Sequence, residues 1–274
     1  MQTESVQSSS RAQLAGFERA LLVLPMLGGA FFGLFPLLLP QTFAAVAQFP
    51  AEGLYVYQLT GAATVGYGVG LLLGLLQRSW RAVRLPVIAT LVFNLASLYA
   101  CAVEIAGGHA PYTVYVIIVA STLFVAISIL LLARHRGSPQ PTQNLATPAV
   151  RLFLIIGAVS AVTFGLLPLL YPQVFTNFGL PLSIAFIGRQ GGAASLGYAV
   201  MAIFALRALS AVELRLPVIM AGVFNGASAL VSIPYLFSGE VPVLPWIIAP
   251  FGLAVAVGAI IALRRVAALS PDYE

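Results

Sequence analysis

The chain has 274 residues, a mean hydropathy of +1.00, 60% hydrophobic residues and only 8% charged residues. Soluble domains carry roughly a quarter charged residues, so a soluble globule of this length is excluded. All 13 basic side chains behind the formal charge of +5 are arginines; without lysine there is no Schiff base for retinal and no P-loop lysine.

Residues 1–17 are polar and Ser-rich and read as a disordered cytoplasmic tail. Eight apolar segments follow, at about 20–40, 55–77, 85–106, 112–134, 150–171, 184–207, 216–237 and 243–264. Each supplies the roughly 20 residues that a helix needs to cross the hydrocarbon core. Alternating barrel strands of about ten residues would not give such long unbroken runs, so the expected class is all-α. The first segment ends near Ala45-Val46-Ala47, which resembles a signal-peptidase site. Its counterpart recurs in mid-chain, so the segment reads as a retained helix.

The segments say nearly the same thing twice. FGLFPLLLPQTF from Phe32 returns as FGLLPLLYPQVF from Phe164, with nine of twelve positions identical at an offset of 132. RLPVIATLVFN from Arg84 returns as RLPVIMAGVFN from Arg215, with eight of eleven identical at an offset of 131. GAATVGY from Gly61 and GAASLGY from Gly192 keep the second offset. Order, spacing and identity agree, which marks an internal duplication. It divides the chain into repeat 1 at 18–136, a polar, Pro-bearing cytoplasmic linker at 137–149, repeat 2 at 150–265 and a cytoplasmic tail at 266–274.

Arginine sets the expected orientation. Arg11, Arg19, Arg78, Arg81, Arg84, Arg134, Arg136, Arg151, Arg207, Arg215, Arg264 and Arg265 fall at the termini and in the even-numbered loops, while Arg189 alone belongs to the other side. Positive loops remain cytoplasmic, so both termini are expected inside. Four helices per repeat then make the repeats parallel, related by a pseudo-two-fold axis along the membrane normal. All-Arg usage suggests a bacterial inner membrane.

Pro40-Gln41 and Pro172-Gln173 are expected to end the first helix of each repeat and start short interfacial stretches. Pro86 and Pro217 are placed in the first turn of the third helices, where a missing donor costs nothing; Pro234 and Pro250 lie deeper and should kink theirs. Gly66, Gly70 and Gly74 form a small-residue stripe, with Gly29 and Gly33 on the first helix, and read as close helix packing. The second copy keeps Gly165 and Gly197 but has Met201 and Ala205 opposite Gly70 and Gly74.

Absent chemistry narrows the function. His109 and His135 fall on opposite sides of the membrane and cannot jointly hold a haem. Cys101 stands alone, so neither an internal disulfide nor a thiolate cluster is available. Asp272 is in the tail and no aspartate lies in the membrane. No catalytic residue, metal site or cofactor is expected, and the balance leans against an enzyme.

Two ionisable residues enter the bundle at similar depth, Glu104 and Arg189, and such groups are functional candidates by default. The repeat aligns Glu104 with Tyr235 and Arg189 with Gln58, so each charge breaks the symmetry. Mutual neutralisation is the simpler reading; an outward-facing pocket gripping an anionic group is the functional one. Glu52, Glu240 and His109 read as outer-loop residues. A second candidate set is matched between copies: Asn94 and Asn225, with Ser97 and Ser228 three positions on, and Tyr67 and Tyr198. A buried Asn can bond a neighbouring helix and fix its register; twin ligand sites are the alternative.

Each half resembles the DoxX-like family of small four-helix membrane proteins. The resemblance rests on the Pro-rich end of the first helix, on small-residue second helices such as GRQGGAASLGYAVMAIFAL from Gly188, and on an Arg-bounded third helix ending in Asn. It covers about 19–136 and 150–265. It implies a four-helix unit and an association with quinone-linked sulfur oxidation or redox-stress membrane complexes, as a small subunit. This chain departs from that pattern in fusing two units and in lacking a redox-active motif.

Three classes of function remain. The first is a non-catalytic subunit or scaffold packed among other membrane subunits. The second is a carrier or binder of a small amphiphile (a lipid, a quinone or a hydrophobic metabolite) through a cavity near Glu104 and Arg189 or near the asparagines. The third, an enzyme on a lipid substrate, would want convergent carboxylates or histidines. The bilayer is a partner in every case, and nucleic acid in none.

Overall fold

The computed structural model describes residues 13–108, 110–137, 147–207, 210–238 and 243–268. His109, Glu240, Asp272, most of the N-terminal tail, most of the linker and the C-terminal tail from residue 269 lie outside the described residues.

The described residues form nine α-helices and no strand. In chain order they are α1 (Gly16–Leu38), α2 (Pro40–Ala47), α3 (Leu54–Gln77), α4 (Trp80–Ala106), α5 (Tyr112–Arg134), α6 (Pro148–Leu170), α7 (Ala185–Ala205), α8 (Ala211–Ser238) and α9 (Leu244–Ala267). Two short 3-10 turns, Pro172–Phe178 and Leu182–Ile184, connect α6 to α7. α2 and the first 3-10 turn each start at the proline expected to interrupt the chain, where the missing N–H is harmless. α6 starts similarly: Pro148 follows Thr147, whose hydroxyl accepts from the Val150 amide.

Seven helices (α1, α3, α4, α5, α6, α8 and α9) are long and apolar enough to cross a membrane. The chain is therefore a multi-pass integral membrane protein. The large apolar side chains left exposed, among them Leu38, Val119, Val159, Leu230 and Leu253, have lipid for solvent. α7, expected as the sixth of eight spans, falls short. Arg189, Gln190 and four glycines dilute its hydropathy, and 14 of its 21 residues are buried. A helix shielded by its neighbours does not need an apolar surface of its own.

The packing crosses between the two sequence copies. α1 lies along α3 and α6 along α7, while α5 lies along α4 and α9 along α8. At the centre, α3 packs chiefly on α8 and α4 on α7, more extensively than α3 on α4 or α7 on α8. Matched glycines permit the outer contacts. A Cβ on Gly61 would sit 2.6 Å from the Gly33 carbonyl, and one on Gly192 would sit 2.6 Å from the Gly165 carbonyl. The Gly66-Gly70-Gly74 stripe is also a packing surface, against Tyr198, Met220 and Val83.

The expectation for Pro86 and Pro217 is corrected. α4 starts at Trp80 and α8 at Ala211, so both prolines are interior, as are Pro234 and Pro250. Each costs its helix the hydrogen bond to the carbonyl four residues earlier. Hydropathy alone places the starts too late, because Arg81, Arg84, Glu213 and Arg215 lie within the first five residues of these helices.

At the arginine-rich end, Glu18 is buried to 2% exposure and ties the start of α1 to the end of α5. Its carboxylate accepts from the Ala15 amide at 2.9 Å and from Arg134 Nε at 3.1 Å, and lies 3.2 Å from His135 Nε2. The His135 ring stacks on Trp80 at 4.3 Å.

Candidate ligand cavity

Two cavities occupy corresponding places in the two halves. The larger, about 350 Å³, lies between α6, α7, α8 and α9 with α3 as its floor. Its wall is aromatic and aliphatic, with Phe153, Phe164, Phe175, Phe224 and Phe251 prominent. Thr163 and Leu167 of α6 and Ile247 of α9 are lining residues that are also exposed, so the mouth opens sideways between these two helices. No Asp, Glu, Arg or His lines it among the described residues. A volume at the low end of small-molecule sites, with few polar groups, suits an uncharged hydrophobic ligand.

The smaller cavity, about 80 Å³, is its counterpart in the first half, lined from α1, α3, α4, α5 and α7. None of its lining residues is exposed. Phe124 of α5 seats against Gly28 of α1, at 2.7 Å from where a Cβ would stand. That aromatic closes the side that is open in the other half.

The polar groups explain a second difference. Hydroxyls within helices commonly bond the carbonyl four residues back, as Thr64, Thr90, Ser195 and Ser232 do here. The matched serines Ser97 and Ser228 do not. Ser97 Oγ donates to Gln190 Oε1 at 2.7 Å, and Gln190 Nε2 reaches Cys101 Sγ at 3.6 Å. Ser121 donates to Ser97 at 3.4 Å. Ser228 Oγ has no partner although the residue is only 4% exposed, and it lines the large cavity. The reason lies in the aligned position: Gln190 corresponds to Leu59, which faces the large cavity with no polar atom to offer.

Of the sequence candidates, Asn225 and Tyr198 line the large cavity, and Asn94 and Tyr67 the small one. The asparagines do not act as expected across helices. Asn94 Nδ2 donates to the Thr90 carbonyl and Asn225 Nδ2 to the Ala221 carbonyl, each on its own helix. The tyrosines make the interhelical bonds instead, to Ala194 and Ala63.

Glu104 and Arg189 do meet, at 3.7 Å, with side chains 28% and 16% exposed. Neither lines either cavity, and nor do Gln58 and Tyr235. Gln58 donates to the Leu37 carbonyl, and the Tyr235 ring packs on Tyr55 at 4.7 Å. A second ion pair joins the copies at the other end, Arg84 to Glu213 at 3.6 Å.

Gln190, Thr60 and the phenylalanines do not stand out in the sequence, and Ser97 and Ser228 do so only as neighbours of the asparagines. One signal was present: within a closely matched stretch of the two repeats, Leu59 stands against Gln190. No family model, characterised protein or solved structure matches the chain.

Proposed function

We propose that this membrane protein binds, and carries, a small uncharged hydrophobic molecule that enters the large cavity from the bilayer between α6 and α9. The observation carrying this reading is the 350 Å³ cavity itself, apolar, free of ionised groups and open to the side. A scaffold subunit has no use for such a space, so that reading ranks second. An anion-gripping pocket at Arg189 is set aside, because its guanidinium faces Glu104 and lies outside the cavity.

The architecture serving this function is a fused pair of parallel four-helix units, with α7 completing the eight spans. Support comes from the matched glycine contacts and from the crossing of α3 onto α8 and α4 onto α7. The arginine-rich loops favour cytoplasmic termini, and a bacterial inner membrane is the setting proposed with them. A DoxX-like origin of each unit remains a proposal resting on the sequence features alone.

Gly157 offers a clean test. It lines the cavity, and a Cβ there would meet nothing within 4 Å. Gly157→Phe should fill the space without disturbing the packing. Native mass spectrometry of protein purified in mild detergent is expected to show a small lipid-like mass on the wild type that Gly157→Phe loses. An identical set of bound species on both proteins would sink the cavity reading.

A further inference from the structure

Resting on that cavity reading, we infer that the ligand presents a carbonyl oxygen to Ser228 Oγ, and that Gln190 is the built-in occupant of the twin site. The chain therefore holds one ligand, in its second half only. Two aligned serines differ in what they meet. Both decline the usual bond to their own helix, and both turn towards the cavity of their own half. In the first half the protein itself supplies what Ser97 meets: the amide carbonyl of Gln190, at 2.7 Å. In the second half the matching position is Leu59, and Ser228 Oγ is left with nothing. A buried polar group without a partner is destabilising, and a ligand with a suitable acceptor removes that cost on binding.

The surroundings restrict the ligand further. With no ionised side chain in the wall, a carboxylate or ammonium would enter uncompensated. The Tyr198 hydroxyl is already committed to the Ala63 carbonyl, and one of the two Asn225 Nδ2 protons to the Ala221 carbonyl. What fits is a neutral body of chain or ring bearing one carbonyl, such as an ester, ketone or amide. The small cavity is excluded as a second site because Gln190 supplies its polar contact and Phe124 closes its side.

The test uses methyl laurate as the carbonyl probe and tridecane as the carbonyl-free control, followed by native mass spectrometry of the delipidated protein. Wild type is expected to take one methyl laurate per chain, preferred over tridecane by about three- to tenfold, the size of one net hydrogen bond. Ser228→Ala, which removes only an unpaired hydroxyl, should abolish the preference and retain tridecane binding. Gln190→Leu combined with Phe124→Val installs at both places the residues that the other half carries, Leu59 and Val255, and should raise the stoichiometry towards two. Leu59→Gln should pair with Ser228 and abolish the preference for the ester over tridecane. A preference that survives Ser228→Ala overturns the carbonyl assignment while the cavity reading stands, and two adducts on wild type overturn the role of Gln190. Binding of neither probe, or binding unaffected by Gly157→Phe, counts against the cavity reading itself.

Discussion

Tyr67 and Tyr198 exchange hydrogen bonds across the centre of the molecule: the Tyr67 hydroxyl donates to the Ala194 carbonyl at 2.6 Å, and the Tyr198 hydroxyl to the Ala63 carbonyl at 2.9 Å. Their ring centroids lie 4.8 Å apart. The donors are aligned with each other in the duplication, and so are the acceptors. Each hydroxyl also stands where a Cβ of the other copy's glycine would be, Gly197 for Tyr67 and Gly66 for Tyr198. The Gly-Tyr pair in both copies is thus one device used twice, a small residue making room for the partner's tyrosine.

Tyr67→Phe is expected to cost about 1 kcal/mol, within the range of interhelical hydrogen bonds in membranes. The Ala194 carbonyl keeps its intrahelical donor, so no buried group is orphaned. Gly197→Ala should cost more, because its Cβ would meet both the Tyr67 hydroxyl and the Ala89 carbonyl, the latter at 2.6 Å. Removing the hydroxyl relieves only one of these contacts. The double variant should therefore be less destabilised than the sum of the singles, by a coupling that unfolding in mixed micelles can read. Strict additivity would show that the hydroxyl and the glycine do not share that space.

Much of this was legible beforehand. The eight helical segments fall within a few residues of the observed helices except at the starts of α4 and α8, where arginines extend a helix that hydropathy cuts short. Duplication pointed to Tyr67, Tyr198, Asn94 and Asn225, and all four line a cavity. The location of the larger cavity was not legible. Charge was the wrong guide, because Glu104 and Arg189 satisfy each other outside it. A cavity is a property of what fails to fill space, and the relevant signals are small: a Leu for a Gln, and a glycine at 157 with nothing opposite.

Glu104→Gln and Arg189→Gln should leave ligand retention unchanged. At 3.7 Å and with both side chains partly exposed, the pair is expected to contribute no more than about 1 kcal/mol to stability. Loss of bound lipid mass in either variant, with the fold intact by circular dichroism, would return the site to the ion pair.

Glu18→Ala should loosen the arginine-rich end. Three groups converge on a carboxylate that is 3% exposed, and its removal leaves the Ala15 amide without its acceptor. Arg134 is 52% exposed and Ala15 is exposed, so both rehydrate readily, and the expected cost of about 1–3 kcal/mol comes mainly from His135, whose side chain is 10% exposed. The readout is local: Trp80, stacked on His135, should change its emission, while Trp246, at the far end of the bundle, should not. Unaltered Trp80 fluorescence would mean that the stack does not depend on Glu18.

Aligned positions also divide space unequally at one central contact, and that division can be reversed experimentally. Gly70 of α3 faces Met220 of α8, whose thioether occupies the place of a Cβ. At the offset of 131, these positions correspond to Met201 and Ala89. One copy puts the small residue on its second helix and the large one across from it, and the other copy reverses the order. Met201, Met220 and Ala89 are all essentially buried in one core cluster. Met220→Ala alone should leave a hole and cost about 2–5 kcal/mol. Gly70→Met alone should overpack a site whose nearest neighbours are already in contact, and destabilise by about 1–3 kcal/mol or more. Combined, the two substitutions rebuild at this contact the arrangement used by the other copy, and the double variant should recover most of the loss. A double variant as unstable as the sum of its parts would mean that the two interfaces have diverged beyond exchange, so that their shared sequence no longer implies shared packing.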